Sequence, residues 1–134
     1  MLESDESFQN VKLRYSNPEN RIEVYSAYDT HRRKEVIIKR IGCNTESDAQ
    51  FYMVEGQNTI SERHPHICEC YDVFYEEDKR RRSWRTVIVM ERLHHDLFEE
   101  IEDRRANREY IPEPRLMQTI RNLVGALAYL QRKV

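Results

Sequence analysis

The stretch Glu35-Val-Ile-Ile-Lys-Arg-Ile41 decides the fold. Its β-branched residues favour an extended chain, and the polar turn Asp29–Lys34 stands before it. Upstream, Ile22-Glu-Val-Tyr-Ser-Ala-Tyr28 alternates apolar and polar side chains, as do Val11, Leu13 and Tyr15. The turn cluster Ser16-Asn-Pro-Glu-Asn20 separates the two. Three strands joined by short polar turns predict an antiparallel meander.

Downstream, Ser47-Asp-Ala-Gln50 matches a capping box, which predicts a helix to about Arg63, ended by His64-Pro65. Gly56 inside it costs roughly 1 kcal/mol relative to alanine. Ile67–Phe74 and Arg85–Met90 read as a fourth and a fifth strand, with Glu76–Ser83 as a charged hairpin tip. Asp96 to about Arg108 reads as a charged helix, and Pro112 and Pro114 open another. In that last helix Leu116, Ile120, Leu123, Leu127 and Leu130 recur at helical spacing on one face. The expected fold class is α+β: a five-stranded antiparallel sheet with one helix, then two helices.

Composition narrows the function classes. The chain has 134 residues, 34% of them charged, and a net charge of -2. No global basic field exists to hold nucleic acid or an anionic membrane. No apolar run is long enough to span a bilayer, and the first twenty residues lack the pattern of a signal peptide. A cytoplasmic protein is expected. Three cysteines, an odd number, suggest reduced thiols. Of the three glycines none precedes Gly42, so a glycine-built phosphate cradle near the N-terminus is excluded.

The element order and the residues at its joints resemble a eukaryotic protein kinase: its N-terminal lobe, hinge and first C-lobe helices. Val36-Ile-Ile-Lys39 is similar to V-A-I-K on the third strand, and Glu55 stands nine residues before His64-Pro-His-Ile67. Val87-Ile-Val-Met-Glu-Arg-Leu93 resembles the fifth strand and hinge, and Gly125-Ala-Leu-Ala-Tyr-Leu-Gln131 the end of the helix before the catalytic loop. The resemblance covers residues 8–134. Residues 1–7, acidic and polar, read as a flexible tail, and the resemblance implies 8–93 as a kinase-like N-lobe and hinge and 94–134 as a partial helical C-lobe. It implies ATP with Mg2+ as cofactor, Lys39 reaching the phosphates and Glu55 holding its ammonium. Backbone groups of Glu91 and Leu93 would meet the adenine edge behind the Met90 side chain, and Asp96 the ribose.

This sequence departs from the family in three places. The glycine positions of G-x-G-x-x-G-x-V hold Asn17, Glu19 and Ile22 when aligned on Val24, and a carboxylate at Glu19 opposes triphosphate. The small alanine of V-A-I-K is Ile37, whose bulk fills part of a base pocket. Neither H-R-D-L-x-x-x-N, D-F-G nor A-P-E occurs. His94-His-Asp-Leu97 mimics the first of these, but the required asparagine is Ile101. The functional expectation is a partial protein kinase domain of serine/threonine type. Its complete form would transfer phosphate from ATP to protein hydroxyls, and this chain alone is inactive. The alternative is a non-catalytic pseudokinase-like interaction module. A generic α+β interaction domain is the third reading. A protein partner or a missing C-lobe is expected to cover Leu116, Ile120, Leu123, Leu127 and Leu130.

Other clusters carry less. His64, His66, Cys68 and Cys70 alternate, but on a straight strand the outer pair would lie ~20 Å apart, too far for one zinc ion. No metal site is expected. Lys79-Arg-Arg-Arg82 follows Glu76-Glu-Asp78, which cancels most of its field, so a solvated hairpin tip is expected. Cys43 falls in a polar loop with nothing near it that marks a nucleophile.

Overall fold

The structure, a computed structural model, describes residues 6–133. Residues 1–5 of the expected tail, and Val134, lie outside the described residues. The elements run β1 (Phe8–Asn17), β2 (Ile22–Asp29), β3 (Lys34–Cys43), α1 (Glu46–Ile60), β4 (Cys70–Asp78), β5 (Ser83–Glu91), α2 (Leu97–Ala106) and α3 (Glu113–Gln131). The fold is α+β: one five-stranded antiparallel sheet in the order β1-β2-β3-β5-β4, and three helices. Among the described residues no helix is long and apolar enough to cross a membrane.

The chain divides into two compact units. One holds the residues up to Glu62 together with Glu69–Arg92; the other holds Arg63–Cys68 and the chain from Leu93 onward.

In the sheet unit the two faces differ. Residues opposite each other in an antiparallel pair share a face. Val36, Ile38, Val87, Val89 and Ala27 form the buried core of the outer face, with Phe8, Val11, Tyr25, Tyr71 and Phe74 packed against them. The other face carries α1. There the Thr86 hydroxyl donates to the Ala49 carbonyl at 2.9 Å, and Gly56 lies against Val73. The helix therefore presents Ala49, Met53, Gly56 and Ile60 to the sheet, at spacings of four, three and four.

Several boundaries move from the sequence reading, each for a local reason. α1 starts earlier because the Thr45 hydroxyl, not Ser47, accepts the Asp48 amide (3.1 Å). β4 starts at Cys70 because the chain before it is spent in a turn. The Ile67 amide donates to the His64 carbonyl (3.2 Å) and the His66 amide to His64 Nδ1 (3.1 Å). The β4–β5 ladder then runs on to Asp78↔Ser83, which shortens the tip to 79–82. β1 is longer than expected, and register irregularities between Gln9 and Lys12 and between Leu13 and Tyr15 break its alternation. Val11 is half-buried, but Leu13 and Tyr15 are exposed.

In the helical unit the Asp96 carboxylate caps α2 by accepting the Glu99 amide at 2.7 Å. Glu100 ties α2 to α3 through Arg115 (3.1 Å) while also pairing with Arg104 (3.2 Å). The Tyr129 hydroxyl accepts the Arg63 amide (3.4 Å), and its ring lies 5.1 Å from that of His64. Ala126 is the buried residue of α3. The stripe Leu116, Ile120, Leu123, Leu127 and Leu130 is between 39% and 59% exposed.

Candidate functional site

Lys39 lies mid-strand on β3, opposite Val24 of β2 and Ile88 of β5. Ile88 alternates with Thr86 and Met90 on the face that carries α1, so Lys39 is on that face as well. Ile37, opposite Met90, is there too. Val24, Ile37, Ile88 and Met90 are half-buried around a half-buried Lys39. The lysine, the isoleucine in the alanine position and the Met90 side chain thus form one surface beside α1.

Glu55 does not join it. It is exposed on α1, about 100° round the helix from Gly56, which faces the sheet. Among the described residues no ion pair or hydrogen bond holds Lys39, and none joins it to Glu55. A Cβ on Gly56 would stand 2.8 and 2.9 Å from the two Val73 methyls. The glycine thereby lets α1 approach β4 closely, and Glu55 lies on an exposed side of the same helix.

The expected hinge residues have structural partners. The Glu91 amide donates to the Glu69 carbonyl (2.8 Å), and the Glu91 carboxylate accepts the Glu69 amide (3.1 Å). Asp96 is committed to its helix cap, and Leu93 is exposed.

The turn between β1 and β2 lies where the kinase resemblance expects a glycine loop, and its amides from Glu19 to Arg21 are bonded inside it. Asn17 Oδ1 accepts the amides of Glu19 (3.1 Å) and Asn20 (3.3 Å), and the Pro18 carbonyl accepts that of Arg21 (3.3 Å). This is an Asx turn, the structure that asparagine followed by proline favours. Its last residue is clamped. Arg21 donates to Asn44 Oδ1 (2.8 Å) and Ser83 Oγ (2.9 Å), and its carbonyl accepts the Gly42 amide (2.8 Å). A side chain on Gly42 would collide with Arg21, whose Nε lies 2.7 Å from where its Cβ would be. A phosphate cradle requires several free amides converging on one point. As folded, this turn offers none from Glu19 to Arg21.

A cleft of about 380 Å³ lies in the same unit, between Arg21, Cys43, Asp48, Phe51 and Tyr52. None of the expected nucleotide residues lines it. Cys43 is buried in the β3 end, not exposed in a loop, and burial pushes its thiol above the ordinary range. Cys70 is buried and Cys68 exposed. Among the described residues no three His, Cys, Asp or Glu side chains form a group that could hold a metal ion.

On the outer face Arg40 bonds both Glu23 (3.2 Å) and the Tyr25 hydroxyl (2.7 Å). Burial raises the Glu23 carboxyl, but the Tyr25 hydroxyl and Arg40 outweigh it and hold the group below its usual range. Arg85 pairs with Glu76 and with Asp78. This is structural electrostatics on the face away from Lys39.

No protein-family model matches the chain, and none of the curated proteins searched matches it.

Sequence reasoning placed Lys39 and Ile37 on the third strand and Met90 on the fifth, which the structure pairs side by side, and missed the roles of Asn17, Arg21 and Gly42. The Asn17-Pro18 pair carried a signal for the turn. Nothing local indicated that Arg21 would be locked over Gly42.

Proposed function

We propose that the chain is a protein-kinase-like region that acts as a protein-binding module and does not hold Mg-ATP through its own N-terminal turn. The observation that carries this reading is the Asx turn at Asn17, whose amides are satisfied internally where a nucleotide site needs them free. The outward Glu55 and the bulk of Ile37 support it. These residues do not fit the cofactor that the kinase resemblance implies, so no phosphoryl-transfer step is derived. The competing reading is an ATP-using kinase front, and the placement of Lys39 on the α1 face favours it.

Thermal unfolding with Mg-ATP separates the two. With about 1 mM Mg-ATP the midpoint should move by less than about 1 °C, because only a ligand that binds the folded state stabilises it. Lys39→Met should leave that null result unchanged. A stabilisation of several degrees that Lys39→Met abolishes would overturn the proposal and establish the nucleotide-binding reading.

A further inference from the structure

The β4–β5 turn carries Lys79, Arg80, Arg81 and Arg82, all exposed. In sequence they follow three acids, which would neutralise them if all seven side chains shared one surface. Strand alternation prevents this. Glu76 and Asp78 point to the outer sheet face, where both pair with Arg85, and their side chains keep only 8% and 17% of their exposure. Asp78 Oδ1 accepts the Arg81 amide at 3.3 Å as well. Glu77 falls on the opposite face. Arg81 shares a small hollow with Glu23. Lys79, Arg80 and Arg82 make no side-chain hydrogen bond or ion pair among the described residues. Two of the three acids next to the tip in sequence are therefore paired within the sheet unit, the third, Glu77, is exposed on the other face, and the tip's four cations remain at the surface.

We propose that this tip is a docking point for a short acidic segment of a partner protein, whose carboxylate or phosphate groups the guanidinium forks grip. Arginine suits both groups because its planar donors bind two oxygens at once. The chain as a whole is net negative, and with the tip set aside the remainder is more so. That net negative charge gives a long polyanion or an anionic bilayer no overall attraction to the chain. A segment of a few residues meets only the tip. The proposal rests on the binding-module reading and names the partner's chemistry.

Fluorescence anisotropy on the full chain tests it. The probes are a labelled Glu/Asp-rich peptide of roughly ten residues, its phosphoserine counterpart and a neutral Gln/Ser control. The acidic peptides should bind and the neutral one should not. Raising salt from about 50 to about 300 mM should weaken binding, since exposed charges are screened within roughly 10 Å. Arg80→Glu with Arg82→Glu should cut affinity about tenfold, since an exposed pair contributes up to about 1 kcal/mol and reversal makes it repulsive. Arg108→Glu in the helical unit should change affinity less than about twofold. If the double reversal impairs folding, Lys79→Gln with Arg80→Gln takes its place. Failure of both acidic peptides to bind, binding that ignores the tip variants, or tighter binding to a single-stranded oligonucleotide or to phosphatidylserine vesicles would overturn the proposal. A Mg-ATP titration of the same preparation tests the binding-module reading separately, so either can fail while the other stands.

Discussion

Gly56 shows how one residue governs the packing of α1 against the sheet. In an isolated helix alanine would be better there by about 1 kcal/mol. Here the missing Cβ is what allows Val73 to pack at 2.8–2.9 Å from its ideal position. Gly56→Ala should therefore destabilise by about 1–3 kcal/mol, as overpacking does. Shortening the obstacle with Val73→Ala should offset part of that loss. A urea-unfolding double-mutant cycle should give a coupling of at least about 0.5 kcal/mol, and additive losses would refute the close-approach account. From sequence, Gly56 was legible as a helix defect. Its reason was not, because Val73 lies across the sheet interface.

At the scale of elements, the β2–β3 turn is held by Asp29, whose side chain is 2% exposed. It accepts the amides of His31 (3.0 Å) and Arg32 (3.1 Å) and the Arg32 guanidinium (2.9 Å). Burial raises the carboxyl, but the Arg32 amide, its guanidinium and the His31 amide outweigh this and hold it below the usual range. A lowered folded value means that the contribution is complete above the unfolded value of about 3.9 and is lost as pH falls through the folded one. Asp29→Asn should lower the unfolding midpoint at pH 7 and flatten its fall below about pH 4. An unchanged acid limb would show that Asp29 does not carry the linkage. The sequence marked residues 29–34 as a turn but did not reveal that one buried carboxylate organises it. The same limit applies to the turn at Asn17, where the cluster was evident but the Arg21 clamp, made through Asn44 and Ser83, was not.

Across the whole molecule, the longest apolar pattern in the sequence is not the best-buried surface. Leu123 and Leu127 of α3 are 59% and 57% exposed, while Ala126 is buried. Leu123→Lys with Leu127→Lys should shift the thermal midpoint by less than about 2 °C, in line with the small effect of surface substitutions. Binding of a hydrophobic dye should fall at the same time. A large loss of stability would mean that these leucines are packed in solution. The face was legible because helical periodicity is a local property. Whether it is covered depends on what packs against it.

The order of strands and helices was determined by the sequence itself, because alternation, helical spacing and turn residues act over a few neighbours. The fold class follows from that order, whereas the adjacency of β3 and β5, which brings Lys39, Ile37 and Met90 together, is a pairing of strands that are not consecutive in the chain. Only the tertiary structure decided that Glu55 is exposed and makes no bond to Lys39, that Arg21 locks the first turn, and that Glu76 and Asp78 pair with Arg85. Those outcomes depend on strand register and helix rotation. Both are set by contacts between residues far apart in the chain: Gly56 on Val73, Arg21 on Gly42, and Arg85 on the two acids.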